Sequence, residues 1–498
     1  MATYLHGAYG DQRAVGSRVA NESQSAVVLF GTAPVHTLAK NDDGTWNVNK
    51  PILVNDISEA QKYFGYSDDW AKYTLCEAMH VFLELNGVGP LVLVNVLDPA
   101  THRANNETSK TATPANGRVT LSAAEDIILD SITVKSGDTT KVKGTDYVAV
   151  YNQNKKQIII SEVTSGSLGT AALTIKYYLV TPSAVTSADV IGASDGNGLN
   201  TGIFAIKNVY QECGVIPAFM MAPGWSEIPA VHAAMYQNSQ KINTHWDAWM
   251  FTDIPISDNG TAVTLDTAYT WKTANGYDKD NETVSFPMAL GTDGNYYHLS
   301  VIRAANFLSI LAENDGIPYY TASNTAAGIV ANLWLGSANS GRVYDDSMIN
   351  EKLNKNGICS AAFVGGRWAV WGAHAASYDQ ENGDNINVSE TTMMMLFYLS
   401  NDFQDRRTFD VDKPLSANDI QAIVAEEQTR LDALVKIKAL TYGEAKLDAS
   451  EIAKSDMYNG DFLFYFDVTT TPIAKSLSVL VNWVDDGYAT YFEPLTGD

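Results

Sequence analysis

Short apolar runs alternate with helical patterns through the first hundred residues. Ala26–Phe30 and Leu91–Leu97 are continuous apolar runs, which are typical of strands that are buried on both faces. Between them, Asp56–Ala60 begins a helix that ends near Gly65, and a longer helix is predicted over Trp70–Leu85. This order of strand, helix and strand predicts a mixed α/β core.

The pattern changes near residue 98, where the chain becomes rich in Thr, Ser, Lys and Gly. The short strands predicted there, separated by turn residues, are Ile127–Val134, Tyr147–Tyr151, Ile158–Ile160 and Leu173–Val180. Because α/β patterns both precede and follow this stretch, we expect residues 99–187 to form an inserted β-sandwich or barrel-like outer domain.

The α/β pattern resumes at about residue 188 and continues to residue 346. Its expected strands are Ala218–Ala222 and Ala248–Thr252, and its expected helices are Gly202–Cys213, Ile228–Asn238 and Ser300–Glu313. Residues 23–98 and 188–346 are therefore expected to form one discontinuous core.

A last segment, residues 347–498, is predicted to form a separate C-terminal domain. Its expected elements are strands at Ala361–Val364 and Trp368–Trp371, helices at Thr391–Arg406 and after Ser416, and strands at Phe462–Val468, Ser476–Val484 and Tyr488–Phe492. The predicted fold class is therefore α+β and multidomain: a mixed α/β core, an inserted all-β surface domain and a C-terminal α+β domain with extended terminal arms.

Both ends of the chain are predicted to be arms. Residues 1–22 are polar, contain several glycines and show no helical period, and Ser476–Val484 alternates apolar and polar residues. The unpaired backbone groups of an edge strand readily form hydrogen bonds with another chain. We therefore expect both arms to add strands to neighbouring molecules, and such head-to-tail pairing builds rings or helical filaments. The residues expected in these contacts are Val15, Val19, Leu477, Val479, Val481, Trp483, Tyr488 and Phe492.

The composition excludes several classes of protein. The 498 residues include 33 Lys plus Arg and 57 Asp plus Glu, and the resulting net charge of −24 disfavours direct binding of nucleic acid or of an anionic membrane. No apolar run approaches the ~18 residues that span a bilayer, and the N-terminus lacks a signal-peptide pattern, so we expect no membrane insertion. The three cysteines lie far apart, which argues against a disulfide framework and a finger-type zinc site.

No motif for catalysis, cofactor binding or metal binding is complete. In Gly196–Gly202 the third glycine comes one position late for a dinucleotide loop, and Ser226 lacks the following glycine of a nucleophile elbow. His245 near Asp247 is typical of packed polar groups, and Asp278–Glu282 lacks the glycine and the glutamate of a calcium loop. We therefore expect no enzyme activity, no cofactor and no metal.

Several short motifs resemble those of contractile phage tail sheath proteins. The matching segments are Tyr4–Tyr9 (YxHGVY in the family), Ala26–Pro34 (first strand and GTAP turn), Met221–Ser226 (APG(Y/W)S), Asn356–Ile358 with Val370–Ala373 (NGI … WGART), and Asn459–Asp461 with Pro472 (closing hairpin). The Arg-Thr that ends the fourth motif in the family is His374-Ala375 here. The order of the motifs covers most of the chain except the inserted domain.

The resemblance implies a structural role. Sheath subunits polymerise as stacked hexameric rings around a tail tube in a metastable extended state, and contract to drive the tube through the host envelope. The implied partners are further copies of the chain, the tube, the baseplate and the tail terminator, in a virion tail assembled in the host cytoplasm. An inner helix of the C-terminal region faces the tube in the family, so Arg430, Lys436 and Lys438, near the end of the helix after Ser416, are the expected tube contacts. The alternative is that these cations only complement the dipole of the helix.

Three other functions are compared with the sequence. The sheath of a phage-derived bacteriocin or of a contractile injection system does the same mechanical work. A β-rich adhesin or surface-binding protein is a different class, against which the missing signal-peptide pattern counts. An acidic hydrolase would need a paired carboxylate motif, and none is recognisable in the sequence.

Overall fold

The computed structural model describes residues 25–339, 341–379, 389–447 and 459–488, so that Val15, Val19 and Phe492 lie outside the described residues. The strands are β1 (Ser25–Gly31), β2 (Ile52–Val54), β3 (Leu91–Asn95), β4 (Thr108–Ala112), β5 (Arg118–Leu121), β6 (Thr133–Ser136), β7 (Thr139–Lys141), β8 (Tyr147–Asn152), β9 (Gln157–Glu162), β10 (Leu173–Tyr177), β11 (Ile216–Met221), β12 (Trp249–Asp253), β13 (Ser257–Asp258), β14 (Thr261–Ala262), β15 (Glu282–Ser285), β16 (Met288–Gly291), β17 (Tyr296–His298), β18 (Val330–Trp334), β19 (Ile358–Val364), β20 (Arg367–Trp371), β21 (Leu440–Lys446) and β22 (Tyr465–Thr470).

The α-helices are α1 (Ile57–Phe64), α2 (Thr74–Ala78), α3 (Ser187–Ile191), α4 (Val209–Cys213), α5 (Pro229–Ser239), α6 (Ala268–Ala274), α7 (Leu299–Glu313), α8 (Asp346–Lys352), α9 (Glu390–Arg407) and α10 (Ala417–Lys436). The chain forms two compact units, which divide between Ala422 and Ile423.

An eight-stranded sheet is the centre of the first unit. Its strand order is β2-β3-β1-β11-β12-β15-β19-β20, in which the six inner strands run parallel and the two outer strands run antiparallel to their neighbours. The register places Val28 of β1 between Val92 and Met220. All of β3 and nearly all of β1 are buried, as expected for parallel strands covered by helices on both faces. The predicted mixed α/β core is thus confirmed.

The sheet crosses the boundary that the sequence predicted at residue 347. Strand β19 lies beside β15, with Val284 paired to Ile358, and β20 then turns back to form the outer edge. The apolar strand pattern at Ala361–Val364 finds its hydrogen-bond partners in this sheet, and residues 347–422 therefore belong to the unit that contains it.

Local signals locate the first helices. Asp56 caps α1 by accepting a hydrogen bond from the backbone N–H of Glu59 (2.8 Å), and Gly65 ends it at a φ of 72°. The helix predicted over Trp70–Leu85 instead begins at Thr74 and ends in a π-helical stretch, Met79–Leu85. It starts late because the N–H of Thr74 donates to the side chain of Thr32, 42 residues away (3.1 Å).

Residues 104–181 form two small sheets outside the core. Their strand orders are β4-β10-β6-β7 and β5-β9-β8, and a second apolar cluster that includes Leu121, Ile158 and Ile175 lies between their strands. The strand predicted from Ile127 begins only at Thr133, because Leu129–Ser131 forms a 3₁₀ turn. The limits of the inserted domain, residues 99 and 187, stay a prediction.

A buried polar cluster lies where β11 and β12 end. Glu77 accepts the backbone N–H of His298 (2.6 Å) with one oxygen, and its other oxygen lies 2.7 Å from Nδ1 of that ring. Glu227 lies 3.7 Å from Nε2 of His298. Asp253 accepts hydrogen bonds from the backbone N–H and the hydroxyl of Ser300. The imidazole of His298 therefore interacts electrostatically with three carboxylates, those of Glu77, Glu227 and Asp253, which come from separate parts of the chain.

Protons stabilise this cluster. Burial raises the pKa of Asp253 to about 7. Burial alone would lower the pKa of His298, but the charge and hydrogen bond of Glu77 outweigh it and raise that pKa to about 10. Both folded-state pKa values lie above the unfolded values, so the folded chain binds more protons and loses stability as the pH rises. The Asp253 part of that loss falls between about pH 4 and pH 7.

We predict that Asp253→Asn flattens the pH dependence of stability. Between pH 5 and pH 8 the free energy of unfolding of the parent should fall by up to about 3 kcal/mol more than that of the variant, since about two pKa units of the loss lie in this range and each is worth about 1.4 kcal/mol. Urea unfolding followed by tryptophan fluorescence measures the difference. Asp138→Asn, on an exposed turn, is the matched control. Equal slopes for the parent and Asp253→Asn would contradict the assignment.

We also predict that residues 104–179 can be removed without unfolding the core. Arg103 and Val180 are bridge partners, so a short glycine linker closes the gap between them. Circular dichroism should show that the shortened chain retains a cooperative thermal transition, because only Ile128 and Tyr178 of the removed residues belong to the apolar cluster of the core or pack against it. Loss of that transition would show that this region is part of the core.

Candidate assembly interface

The second unit is built from a hairpin packed on a helix. Strands β21 and β22 pair antiparallel, with Gly443 opposite Val468, and Leu431 and Leu434 of α10 are buried beneath them. A Cβ atom at Gly443 would lie 2.9 Å from the Cβ atom of Leu431, which is closer than real Cβ contacts come. Glycine at this position therefore lets the strand lie directly against the helix.

The side chain of Gln428 occupies the middle of the outer edge of β21. Its Nε2 donates to the carbonyl oxygen of Gly443 (3.0 Å), and its Oε1 accepts from the N–H of Ala445 (2.9 Å). These are the two kinds of bond that a neighbouring strand would make. On the outer edge of β22, by contrast, no strand of the described residues is paired.

The segment that follows β22 is apolar and exposed. Leu477, Val479, Val481 and Trp483 are 91%, 85%, 82% and 77% exposed. Leu480, which lies among them, and Val484, which follows them, are exposed as well. Burying one large apolar side chain contributes roughly 1.5–3 kcal/mol, so this stretch has much to gain from contact with another surface. Clusters of exposed apolar residues of this kind mark interaction sites.

The strand predicted over Ser476–Val484 is wrong for the single chain. Residues 471–484 contain neither helix nor strand, because a strand needs backbone partners and the described residues provide none here. The strand predicted over Phe462–Val468 is present but shifted to β22. Tyr488 lies in a short helical turn and is 57% exposed, and the rest of the strand predicted at Tyr488–Phe492 lies outside the described residues.

The three predicted tube contacts do not form one stripe. Arg430 is half-buried in α10, whereas Lys436 and Lys438 are exposed. At about 100° per residue, positions 430 and 436 lie roughly 120° apart around the helix axis. Lys438 follows the end of the helix with a φ of 67°. Arg430 and Lys436 therefore lie on different sides of α10.

Sequence reasoning missed strand β21 and its two supporting residues. The run from Leu440 to Lys446 shows no clean alternation, since Gly443 interrupts it and Thr441, Tyr442 and Glu444 are all exposed. An isolated glycine in a strand often marks a close backbone approach, which is the one signal that could have revealed β21.

The residues weighed for chemistry are occupied by structural contacts. The hydroxyl of Ser226 is buried and accepts a hydrogen bond from the N–H of Asp253 (3.3 Å). Asp247 is bound by Lys241 at 2.6 Å. The side chain of His245 is exposed, so the prediction that His245 is a packed polar group is wrong. Among the described residues, no group of three or more His, Cys, Asp or Glu side chains is arranged to hold a metal ion. Of the described helices, none is long and apolar enough to cross a bilayer.

Comparisons with known proteins identify relatives of the whole chain. No protein-family model matches the sequence. The chain is 25% identical, over 505 aligned residues that cover 96% of each sequence, to the tail sheath protein of Burkholderia phage BcepMu. This relation confirms the predicted resemblance to contractile tail sheath proteins.

Solved structures share the fold. One neighbour is a chain of the cryo-EM structure of the anti-feeding prophage baseplate, with a TM-score of 0.53 and 11% identity, which covers 97% of this chain and all of that one. Another belongs to the contracted PVC sheath complex of an extracellular contractile injection system, with a TM-score of 0.51, 10% identity, and coverage of 98% and 99%. These likenesses confirm the predicted fold class.

We predict that Gly443→Val loosens the hairpin from α10. The added side chain meets Leu431, and the strand must move outward to make room for it. Hydrogen exchange followed by mass spectrometry should show faster exchange in both β21 and β22. Gly487→Val is the matched control, because a Cβ atom there has no neighbour within 4 Å. Unchanged protection of both strands in Gly443→Val would contradict the close packing.

Proposed function

We propose that this chain is the structural subunit of a contractile tail sheath. It polymerises with copies of itself as stacked hexameric rings around a tail tube, stays in a metastable extended state, and contracts to drive the tube through the host cell envelope. The observation that carries the proposal is the exposed apolar segment after β22, in a chain related along 96% of its length to a phage tail sheath protein.

Strand addition joins the subunits. The segment from Leu477 to Val484 of one subunit lies along the outer edge of β22 in a neighbour, where its backbone groups complete the sheet. Its alternating residues Leu477, Val479, Val481 and Trp483 then lie on one face, which is buried on the neighbour. The edge of β21 is less suitable for strand addition, because the side chain of Gln428 already forms hydrogen bonds with the carbonyl oxygen of Gly443 and the N–H of Ala445. Val15, Val19, Tyr488 and Phe492 are proposed to extend this linkage.

Such a linkage suits contraction. A strand pairs through directional hydrogen bonds and remains paired while the rest of the subunit rotates, so subunits stay connected as the assembly changes shape. Two packings of one subunit that differ in free energy supply the work, and assembly traps the higher one. No nucleotide, cofactor or catalytic residue is needed for this step, and we therefore assign no enzyme activity.

The partners follow from the same role. Beyond its own copies, the sheath contacts the tail tube, the baseplate and the tail terminator, within a virion tail assembled in the host cytoplasm. The net charge of −24 opposes direct binding to nucleic acid. The baseplate of the anti-feeding prophage and the PVC sheath contain chains of this fold, so the sheath of an injection system or of a phage-derived bacteriocin is the second candidate function. The named relatives do not support an adhesin.

We predict that acidic residues in the apolar segment prevent polymerisation. The triple variant Leu477→Asp, Val479→Asp and Val481→Asp should leave a folded, monodisperse subunit, because these side chains are exposed in the single chain. Negative-stain electron microscopy should show hollow tubes for the parent and none for the variant. Val148→Asp with Val150→Asp, which changes two exposed valines of β8, is the matched control and should still form tubes. Normal tubes from the triple variant would rule out this contact.

A charge-reversal variant tests the tube contact. Replacing Arg430, Lys436 and Lys438 with Glu should leave sheath formation intact but weaken co-sedimentation with purified tube. Exposed ion pairs contribute roughly 0–1 kcal/mol each, so the loss should be modest for one subunit and large for a ring. Salt should reduce the binding of the parent more than that of the variant. If co-sedimentation is unchanged at every salt concentration, the contact lies elsewhere.

A further inference from the structure

An acidic groove opens at the amino ends of the parallel strands in the first unit. It has a volume of about 710 Å³, and it is bordered by the starts of β1, β11 and β12, the last turns of α7, and α9. Apolar side chains form its floor, among them Phe219, Trp249, Leu308, Leu311 and Phe397. This size and lining are typical of a site that binds several side chains of a ligand.

The charged side chains that line this groove are all acidic. Asp247, Asp315, Asp402 and Asp405 line it, and no lysine, arginine or histidine is among the described residues that do. From outside the lining, Lys241 reaches Asp247 and Arg406 reaches Asp402, and the hydroxyl of Tyr210 donates to Asp405 (3.1 Å). An occupant of this groove should therefore combine apolar side chains with positive charge.

The described chain itself begins at this groove. Ser25, the first residue of β1, lines it, and 24 residues precede Ser25 in the sequence. Residues 12–21, with the sequence QRAVGSRVAN, carry Arg13 and Arg18 and no acidic residue, in a chain whose net charge is −24. Val15 and Val19 supply apolar side chains. Six residue steps separate Val19 from Ser25, which span up to about 20 Å.

We propose that residues 12–21 dock in this groove of their own chain while the subunit is free. Arg13 and Arg18 face the aspartates of the wall, and Val15 and Val19 contact the apolar floor. The apolar segment after β22 is a poorer occupant, because Ser476–Val484 contains no basic residue that could face the acidic wall. This docking is a property of the single chain and does not depend on the sheath function.

The docking would protect the free subunit. An arm that adds strands to neighbours is a hazard before assembly, since an exposed strand pairs with any available edge. A groove that holds the arm through surface charge pairs and two valines binds it weakly enough to release it when a neighbour offers a full sheet edge. The same residues, Val15 and Val19, would then pass from one surface to the other.

Crosslinking in the full-length chain tests this proposal. Val19→Cys is combined with Ala312→Cys, an exposed residue of the groove, and treated with a short bismaleimide in dilute solution. We expect an intramolecular crosslink whose yield does not depend on protein concentration. Val19→Cys with Val150→Cys, on the exposed face of β8, is the matched control and should give little product. Val19→Cys alone corrects for crosslinks to the three native cysteines.

Charge variants separate docking from chance contact. Adding Arg13→Glu and Arg18→Glu should lower the crosslink yield about tenfold, because two attractive charge contacts become repulsive. Arg13→Lys with Arg18→Lys should retain it. Thermal unfolding must show that each variant is folded like the parent. Absence of the intramolecular crosslink, equal yields for the Glu and Lys variants, or a crosslink only between two chains would each overturn the proposal; the last result would assign the groove to a second copy.

Discussion

The role of this protein depends on the requirement that every backbone group at a strand edge finds a partner. In the core sheet the chain meets this requirement itself. Residues 324–327 cover the outer strand β20, where Asn324 and Ala327 donate to Val370 and Trp368 and the N–H of Val370 donates to Thr325. In the second unit the side-chain amide of Gln428 does so on the outer edge of β21. Among the described residues no strand lies along the outer edge of β22, and the apolar segment after it is exposed. We propose that another molecule covers both.

The first unit is built as a body that keeps its shape. Its parallel strands are buried on both faces, and charged residues are held in clusters that join distant parts of the chain. Arg303 binds Glu390 at 2.6 Å between α7 and α9, and His298 serves the carboxylates at the carboxyl ends of the strands. Removing one partner of such a pair is costly, because the other is left buried without compensation. A stiff body is what a subunit needs if it is to move as one piece within an assembly.

Much of this fold could be predicted from the sequence, because continuous apolar runs have few other structural solutions. β1, β3, β11 and β12 lie where the pattern put them, and Asp56 and Gly65 mark the ends of α1. The chemistry of the interface was harder to predict. Gly443 and Gln428 act through contacts with elements 12–17 residues away, which no local periodicity reports. The alternation at Leu477–Trp483 was recognised, but as a strand, and a strand does not exist until a second chain provides its hydrogen bonds.

The central claim is that one subunit completes the sheet of the next. A cryo-EM reconstruction of the polymer formed by the purified chain, at a resolution that separates strands, tests it most directly. The account predicts a hollow helical tube in which the segment around Val479 lies beside β22 of a neighbouring subunit. Compact particles that never polymerise, or a tube in which this segment packs on its own chain, would contradict it.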